Sequence, residues 1–232
     1  MRHGRLTGIA AAMVSAVAVA ACGGSGPPTR GIASQTPNQI VARATHAIDR
    51  VSSVKVSGSV GDGSAANTIT LDLNLVGGRG ATGSMSEHGL SFRLVAVGGE
   101  AYVSGSTAFW KQFGGPSVAS RLHGHWLRGP TSSGEFSSFR SLTDIHRLLA
   151  HLLTGHGALT KGATTTIDGR RVIALHDASK QGTLYVAITG TPYPIRIANG
   201  SATGGRIDFS NFNRPVSLKA PASSIDITSL KH

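Results

Sequence analysis

From Thr68 to Leu75 the chain alternates without a break: Ile69, Leu71, Leu73 and Leu75 are apolar, while Thr68, Thr70, Asp72 and Asn74 are polar. A period of two puts the apolar side chains on one face of a strand and the polar ones on the other, so this segment belongs to a sheet with one buried face. Gly77-Gly78 and Gly98-Gly99 punctuate the flanking runs as hairpin turns do. The pattern predicts successive antiparallel strands over 54–60, 69–76, 79–86, 90–97 and 101–104. Strands resume over 164–167 and 171–176 across an Asp168-Gly169 turn, then over 183–189, 195–198, 205–209 and 225–228. Nothing in this order shows the strict strand–helix alternation of a parallel sheet.

Helical periodicity occurs in three places. Thr36 is a candidate N-cap with Pro37 at the first helical position, and Ile40, Val41, Ala44, Ile48 and Val51 follow at helical spacing. Residues 116–122 suit a short helix beginning at Pro116. Over 141–154, Leu142, Ile145, Leu149 and Leu152 recur at three- and four-residue spacing, Leu148 and Leu153 widen the apolar face, and Ser141 with Asp144 marks the start. Gly155 and Gly157 end this helix.

The amino end is of another kind. Arg2 and Arg5 precede an apolar run ending Val19-Ala20-Ala21-Cys22, and Cys22 is the only cysteine in the chain. The run is shorter than the roughly 20 apolar residues that span a bilayer, and it suits a removable export signal. The pattern V-A-A-C resembles the bacterial lipobox, which implies a diacylglyceryl group on Cys22 and removal of residues 1–21. Two acyl chains suffice for stable anchoring. The alternative is a chance thiol beside an ordinary signal cleavage site. The reading divides the chain into a signal over 1–21, a flexible Gly-, Ser- and Pro-rich tether over 22–35, and one domain over 36–232. It also places the protein on the outer face of the cell membrane. With its one thiol acylated, the exported domain has no disulfide and must hold by its core.

Loss of Arg2 and Arg5 leaves 20 Lys+Arg against 11 Asp+Glu, a formal charge of +9. The basic residues are scattered and aromatics make up only 5% of the chain, so the stacking platforms and basic stripes of nucleic-acid binders are missing. Attraction to anionic lipid headgroups and plain solubilising charge both remain open.

Sites for chemistry are scarce. Gly78 to Gly83 matches G-x-G-x-x-G but opens no helix, so a glycine-rich hairpin is the better reading. Ser52-Ser53-Val54-Lys55 matches S-x-x-K without the companion motifs of serine acyl-enzymes. No G-x-S-x-G elbow occurs, and the carboxylates are dispersed. His146, His151 and His156 repeat every five residues, which scatters them around a helix, and His123 and His125 have no cysteine partner. Asn199-Gly200-Ser201 marks a turn more simply than a glycosylation site. The sequence nominates no catalytic residue, metal ligand or cofactor. The chain reads as a non-enzyme. What it offers is apolar surface: the 69–75 strand face, then Phe92, Leu94, Leu184, Val186 and Ile188, then the broad stripe of 141–154.

The carboxyl-terminal third carries a resemblance. Gly182-Thr183-Leu184-Tyr185-Val186, Thr191-Pro192-Tyr193-Pro194-Ile195-Arg196, and the run Gly205 to Val216 with Pro221 resemble the LppX/LprAFG family of actinobacterial lipoproteins. The lipobox, the helix around Ile40 to Val51 and the following Val54-Lys55-Val56-Ser57-Gly58 fit it too. The resemblance implies an α+β fold similar to the LolA/LolB carriers: an open antiparallel half-barrel of about 10–11 strands, its concave face covered by helices. It also implies a hydrophobic cavity that binds acylated lipids or glycolipids for transfer in the cell envelope, with an envelope transporter as a further partner. Leu71, Leu73, Phe92, Leu94, Ile145, Leu149, Leu152, Val186 and Ile188 are the expected cavity residues, with Arg93 or Arg196 meeting headgroup phosphates at the mouth. The alternative is an envelope protein of the same fold with a filled cavity, acting on a protein partner. A void below about 300 Å³ would favour that alternative.

Overall fold

The computed structural model describes residues 31–61, 68–179, 181–200 and 204–230. The signal, Cys22 and most of the tether lie outside the described residues. Ile32–Ser34, at the end of the stretch expected to be tether, form a 3-10 turn whose Ile32 and Ala33 pack against the core.

The described strands form one open sheet. They are β1 (Ser53–Val60), β2 (Ile69–Val76), β3 (Gly80–Glu87), β4 (Leu90–Val97), β5 (Glu100–Gly105), β6 (Leu127–Pro130), β7 (Leu159–Ile167), β8 (Arg170–Asp177), β9 (Gly182–Ala187), β10 (Pro194–Asn199), β11 (Arg206–Ser210) and β12 (Ile225–Asp226). Their spatial order is β12-β6-β5-β4-β3-β2-β1-β11-β10-β9-β8-β7. Every neighbouring pair is antiparallel except β12 with β6, where Ile225 and Asp226 run parallel to Leu127 and Arg128. The expected strands are present, although the one over 225–228 keeps only Ile225–Asp226 before Ile227–Leu230 wind as 3-10 helix. Strand β6 is the addition: its Leu-Arg-Gly-Pro sequence reads as loop, and only pairing with β5 and β12 makes it a strand. The Gly98-Gly99 and Asp168-Gly169 turns hold positive φ at both positions, 63° and 82° in the first and 47° and 75° in the second. That is the two-residue hairpin geometry whose twist matches the strands.

Helix α1 (Pro37–Ile48) starts as its sequence predicts. Thr36 Oγ1 accepts from Gln39 N, and Gln39 Oε1 accepts from Thr36 N, a reciprocal capping box. Helix α2 (Thr107–Leu122) is longer than expected because a first segment, capped by Ser106 Oγ accepting from Phe109 N at 3.1 Å, precedes the one beginning at Pro116. Gly115, at φ 81°, breaks the two apart. Helix α3 (Ile145–Thr154) begins four residues later than Ser141, because 134–143 winds as 3-10 helix. None of the described helices is long and apolar enough to cross a membrane.

Helices α1 and α3 bury Ile40, Ile48, Ile145 and Leu149 against the inward side chains Val54, Val56, Leu73, Leu75, Ile173, Leu175, Val186 and Phe209 of the sheet. Helix α2 closes a second core of Leu94, Val103, Trp110, Leu122 and Leu127. Alternation sends Val172, Ala187 and Ile195 to the other face, where they form a small third cluster with Ile167. After β11 the chain travels through 211–224 to reach β12, seven places away in the sheet. It is fastened at the outset by Ser52 N donating to Asn213 Oδ1 at 2.8 Å and Ser53 Oγ donating to the Arg214 carbonyl at 2.6 Å.

Candidate functional site

In an antiparallel sheet the end of one strand lies beside the start of the next. The last residues of β1, β8 and β10 therefore gather with the first of β7, β9 and β11 at one end of the sheet. There the carboxyl-terminal end of α3 roofs a half-enclosed pocket of about 270 Å³, between Val60, Leu159, Asp177, Gly182, Asn199, Arg206 and, from the helix side, Leu153 and His156. Its floor is a single row of cross-strand partners: Leu175 opposite Leu184, Leu184 opposite Ile197, and Ile197 opposite Ile207. Each is aliphatic and none can donate or accept a hydrogen bond, so the floor favours a hydrocarbon guest. The row ends on β1 at Gly58, where a Cβ would stand 2.0 Å from the Arg206 carbonyl oxygen. Only glycine lets β11 approach so closely.

The polar groups at the pocket's edge have structural duties. Asp177, 7% exposed, accepts from Gly157 N at 3.0 Å through Oδ2 and from Ser179 N and Oγ at 2.9 and 2.6 Å through Oδ1. It thereby ties the segment after α3 to the end of β8. His156 Nδ1 donates to the Gly157 carbonyl at 2.8 Å. Arg206, with its side chain 61% exposed, pairs through Nε with Asp208 Oδ2 at 3.1 Å. Among the described residues no group of His, Cys, Asp and Glu gathers as a metal site.

The residues expected to line a cavity fall elsewhere. Leu73, Ile145, Leu149 and Val186 are buried in the core beneath α1 and α3, with Leu71 and Ile188 packed against it. Leu94 is buried beneath α2, and Phe92 packs there. The side chain of Leu152 lies outside those described. None of the eight described residues belongs to the pocket wall. Leu71 and Phe92 share its rung of the sheet through the pairings Ile207–Gly58, Gly58–Leu71, Leu71–Met85 and Met85–Phe92. Leu73, Leu94 and Val186 sit one rung deeper. Leu184, Ile197, Ile207, Leu175, Leu159 and Leu153 form the apolar wall instead; Leu184 carried an inward-facing signal in the strand period, and the others carried none that separated them from core.

Neither expected headgroup cation faces the pocket. Arg93 alternates with the buried Leu94 and so projects from the opposite face, where Nη2 donates to Ser104 Oγ at 3.4 Å and the guanidinium lies 5.0 Å from the centre of the Trp126 ring. Arg196 alternates with Ile197 and pairs with Asp208, with Asp168 Oδ2 at 3.9 Å.

No family model matches the sequence, and neither does any curated protein. Solved structures do match. LprF from Mycobacterium bovis is 15% identical with a TM-score of 0.56, over 80% of this chain and 96% of that one. Lipoprotein LppX from Mycobacterium tuberculosis is 17% identical with a TM-score of 0.47, over 79% of this chain and all of that one. A LolA superfamily protein from Nitrosomonas europaea is 12% identical with a TM-score of 0.26, over 79% and 96%. The open, mostly antiparallel sheet with its helices is the fold of LprF, and it is the fold that the resemblance to the LppX/LprAFG lipoproteins implies.

Proposed function

We propose that this chain is an exported lipoprotein, held to the outer face of the cell membrane by an acyl group on Cys22, that binds or hands on a lipid by taking acyl chain into the pocket at the end of α3. The observation that carries the reading is the pocket itself: an aliphatic floor, an open end and a helix for a roof. An engineered cavity of about 150 Å³ accommodates benzene. By that scale about 270 Å³ takes roughly ten carbons of a single chain. At ~0.8 kcal/mol per buried methylene, desolvation of such a segment supplies about 8 kcal/mol before ordering costs.

The test is lipid extraction and mass spectrometry on protein purified from membranes, beside a Leu184→Trp variant whose indole fills the pocket. The expected result is an acyl lipid that accompanies the wild type and is depleted in the variant. Absence of lipid from membrane-derived protein, and no uptake by delipidated protein, would overturn the reading.

A second reading is favoured by the pocket's size. At about 270 Å³ it lies under the roughly 300 Å³ at which ligand pockets ordinarily begin, and Leu73, Leu94, Ile145, Leu149 and Val186 fill the space a larger cavity would need. On that reading the domain serves a protein partner in the envelope. The same extraction separates the two, since this reading expects no lipid in either sample.

A further inference from the structure

The large apolar side chains that stand in solvent among the described residues are Val60, Ile69 and Phe113, 51%, 36% and 41% exposed. Phe113 is far from the other two in sequence, yet all three share one end of the molecule. Val60 is the cross-strand partner of Ile69, Ile69 of Glu87, and Glu87 of Leu90. Leu90 and Phe113 then line one shallow groove of about 180 Å³ with Phe92 and Phe109. The result is a rim, apolar but for Glu87 and His88, running from α2 across the tips of four strands to Val60 in the pocket wall. The opposite end of the sheet is different in kind: Arg79, Asp168 and Arg170 mark its turns, and all are exposed.

The chain also enters the fold at the rim's end. Lys161 Nζ donates to the Ala33 carbonyl at 3.0 Å, holding the 3-10 turn at Ile32–Ser34 beside the start of β7, two residues from Leu159 in the pocket wall. Nine peptide units separate Cys22 from Gly31, a reach of at most about 30 Å even when fully extended. A leash of that length, tied at the pocket's end, lets that end rest against the surface that holds it.

We propose that this rim rests on the outer face of the bilayer anchoring Cys22, so that the pocket opens toward lipid. The orientation rests on the anchor reading given above. The contact is apolar in character, because Leu90, Phe92, Phe109 and Phe113 supply most of the groove's lining, so it persists in high salt.

With Cys22 acylated the chain has no other thiol, which allows single-site labelling of the acylated chain in phosphatidylcholine vesicles. An environment-sensitive fluorophore is placed at Gln112→Cys or Glu87→Cys on the rim, or at Arg79→Cys on the far end. The expected result is blue-shifted emission and quenching by spin-labelled lipid at 112 and 87, unchanged in high salt, with the label at 79 in water. Labels at 112 and 87 in water while the chain floats with the vesicles would overturn the proposal. So would a shift at those sites without vesicles, which would mean that a second copy covers the rim. A chain that fails to float at all would refute the anchor, and this orientation with it.

Discussion

His146, in the first turn of α3, donates from Nδ1 to the carbonyl oxygen of Ile48, the last residue of α1, at 3.0 Å. The bond joins two elements that cover the same face of the sheet, and Ile48 and Ile145 beside it are fully buried. At the other end of α3, Asp177 holds Gly157. The roof of the pocket is thus fastened before and after its helix.

His146→Ala should lower stability by about 1 kcal/mol, the net worth of one hydrogen bond, because Val51 N still donates to the Ile48 carbonyl. In a chain of this size that is a fall in Tm of about 3 °C, measurable by calorimetry.

Gly77, in the turn between β2 and β3, supports the same helix start. A Cβ there would lie 3.0 Å from Ile145 Cγ2 and 3.5 Å from His146 Nε2. Gly77→Ala should therefore displace the start of α3 and cost about 1–3 kcal/mol as an overpacked contact, visible as a lower denaturation midpoint.

The core and the pocket wall should respond differently to truncation. Leu149 is 1% exposed within the main cluster, so Leu149→Ala should cost about 2–5 kcal/mol, the usual penalty for a buried cavity. Leu184 is half-buried at the pocket, where the void already exists, so Leu184→Ala should cost less and enlarge the site. Paired urea unfolding curves check the ordering, and lipid uptake by Leu184→Ala checks the enlargement.

Acid should loosen β12 before the rest of the sheet. Asp226 Oδ1 accepts from Thr228 Oγ1 at 2.7 Å and Thr228 N at 3.0 Å, and Oδ2 lies 3.1 Å from Arg128 Nη2. These bonds, those from Thr228 foremost, hold its carboxyl below the ordinary 3.8. A depressed carboxylate contributes stability above its unfolded value and loses it as pH falls through the folded one. Amide protection at Ile227 to Leu230, measured against the intrinsic exchange rate at each pH, should fall below about pH 4, and Asp226→Asn should remove that pH dependence.

The sheet was legible because its signals are local. Alternation over 69–76 and the Asp168-Gly169 turn each specify a conformation within a few residues. Leu127 to Pro130 became a strand only through pairing with β5, and Phe109, Trp110 and Phe113 cluster against one another in a helix that no regular stripe announces. For the site, the period of two told which side chains face inward, and Leu73, Leu94 and Val186 do. It carried no information on how far along the strands α3 would lie. That depth decides whether an inward residue is core, like Val186, or pocket, like Leu184 two positions earlier on the same strand.

Strand β1 lies between β2 and β11, so Val56 has Leu73 on one side and Phe209 on the other. The first neighbour is close in sequence; the second arrives roughly 150 residues later, the kind of separation that slows folding. A polypeptide delivered amino end first must therefore keep a bare central edge until nearly all of it has emerged, and an uncovered edge invites pairing with the wrong chain. Truncations that stop short of residue 206 should yield aggregates where a hairpin-by-hairpin assembly would have left a smaller soluble domain.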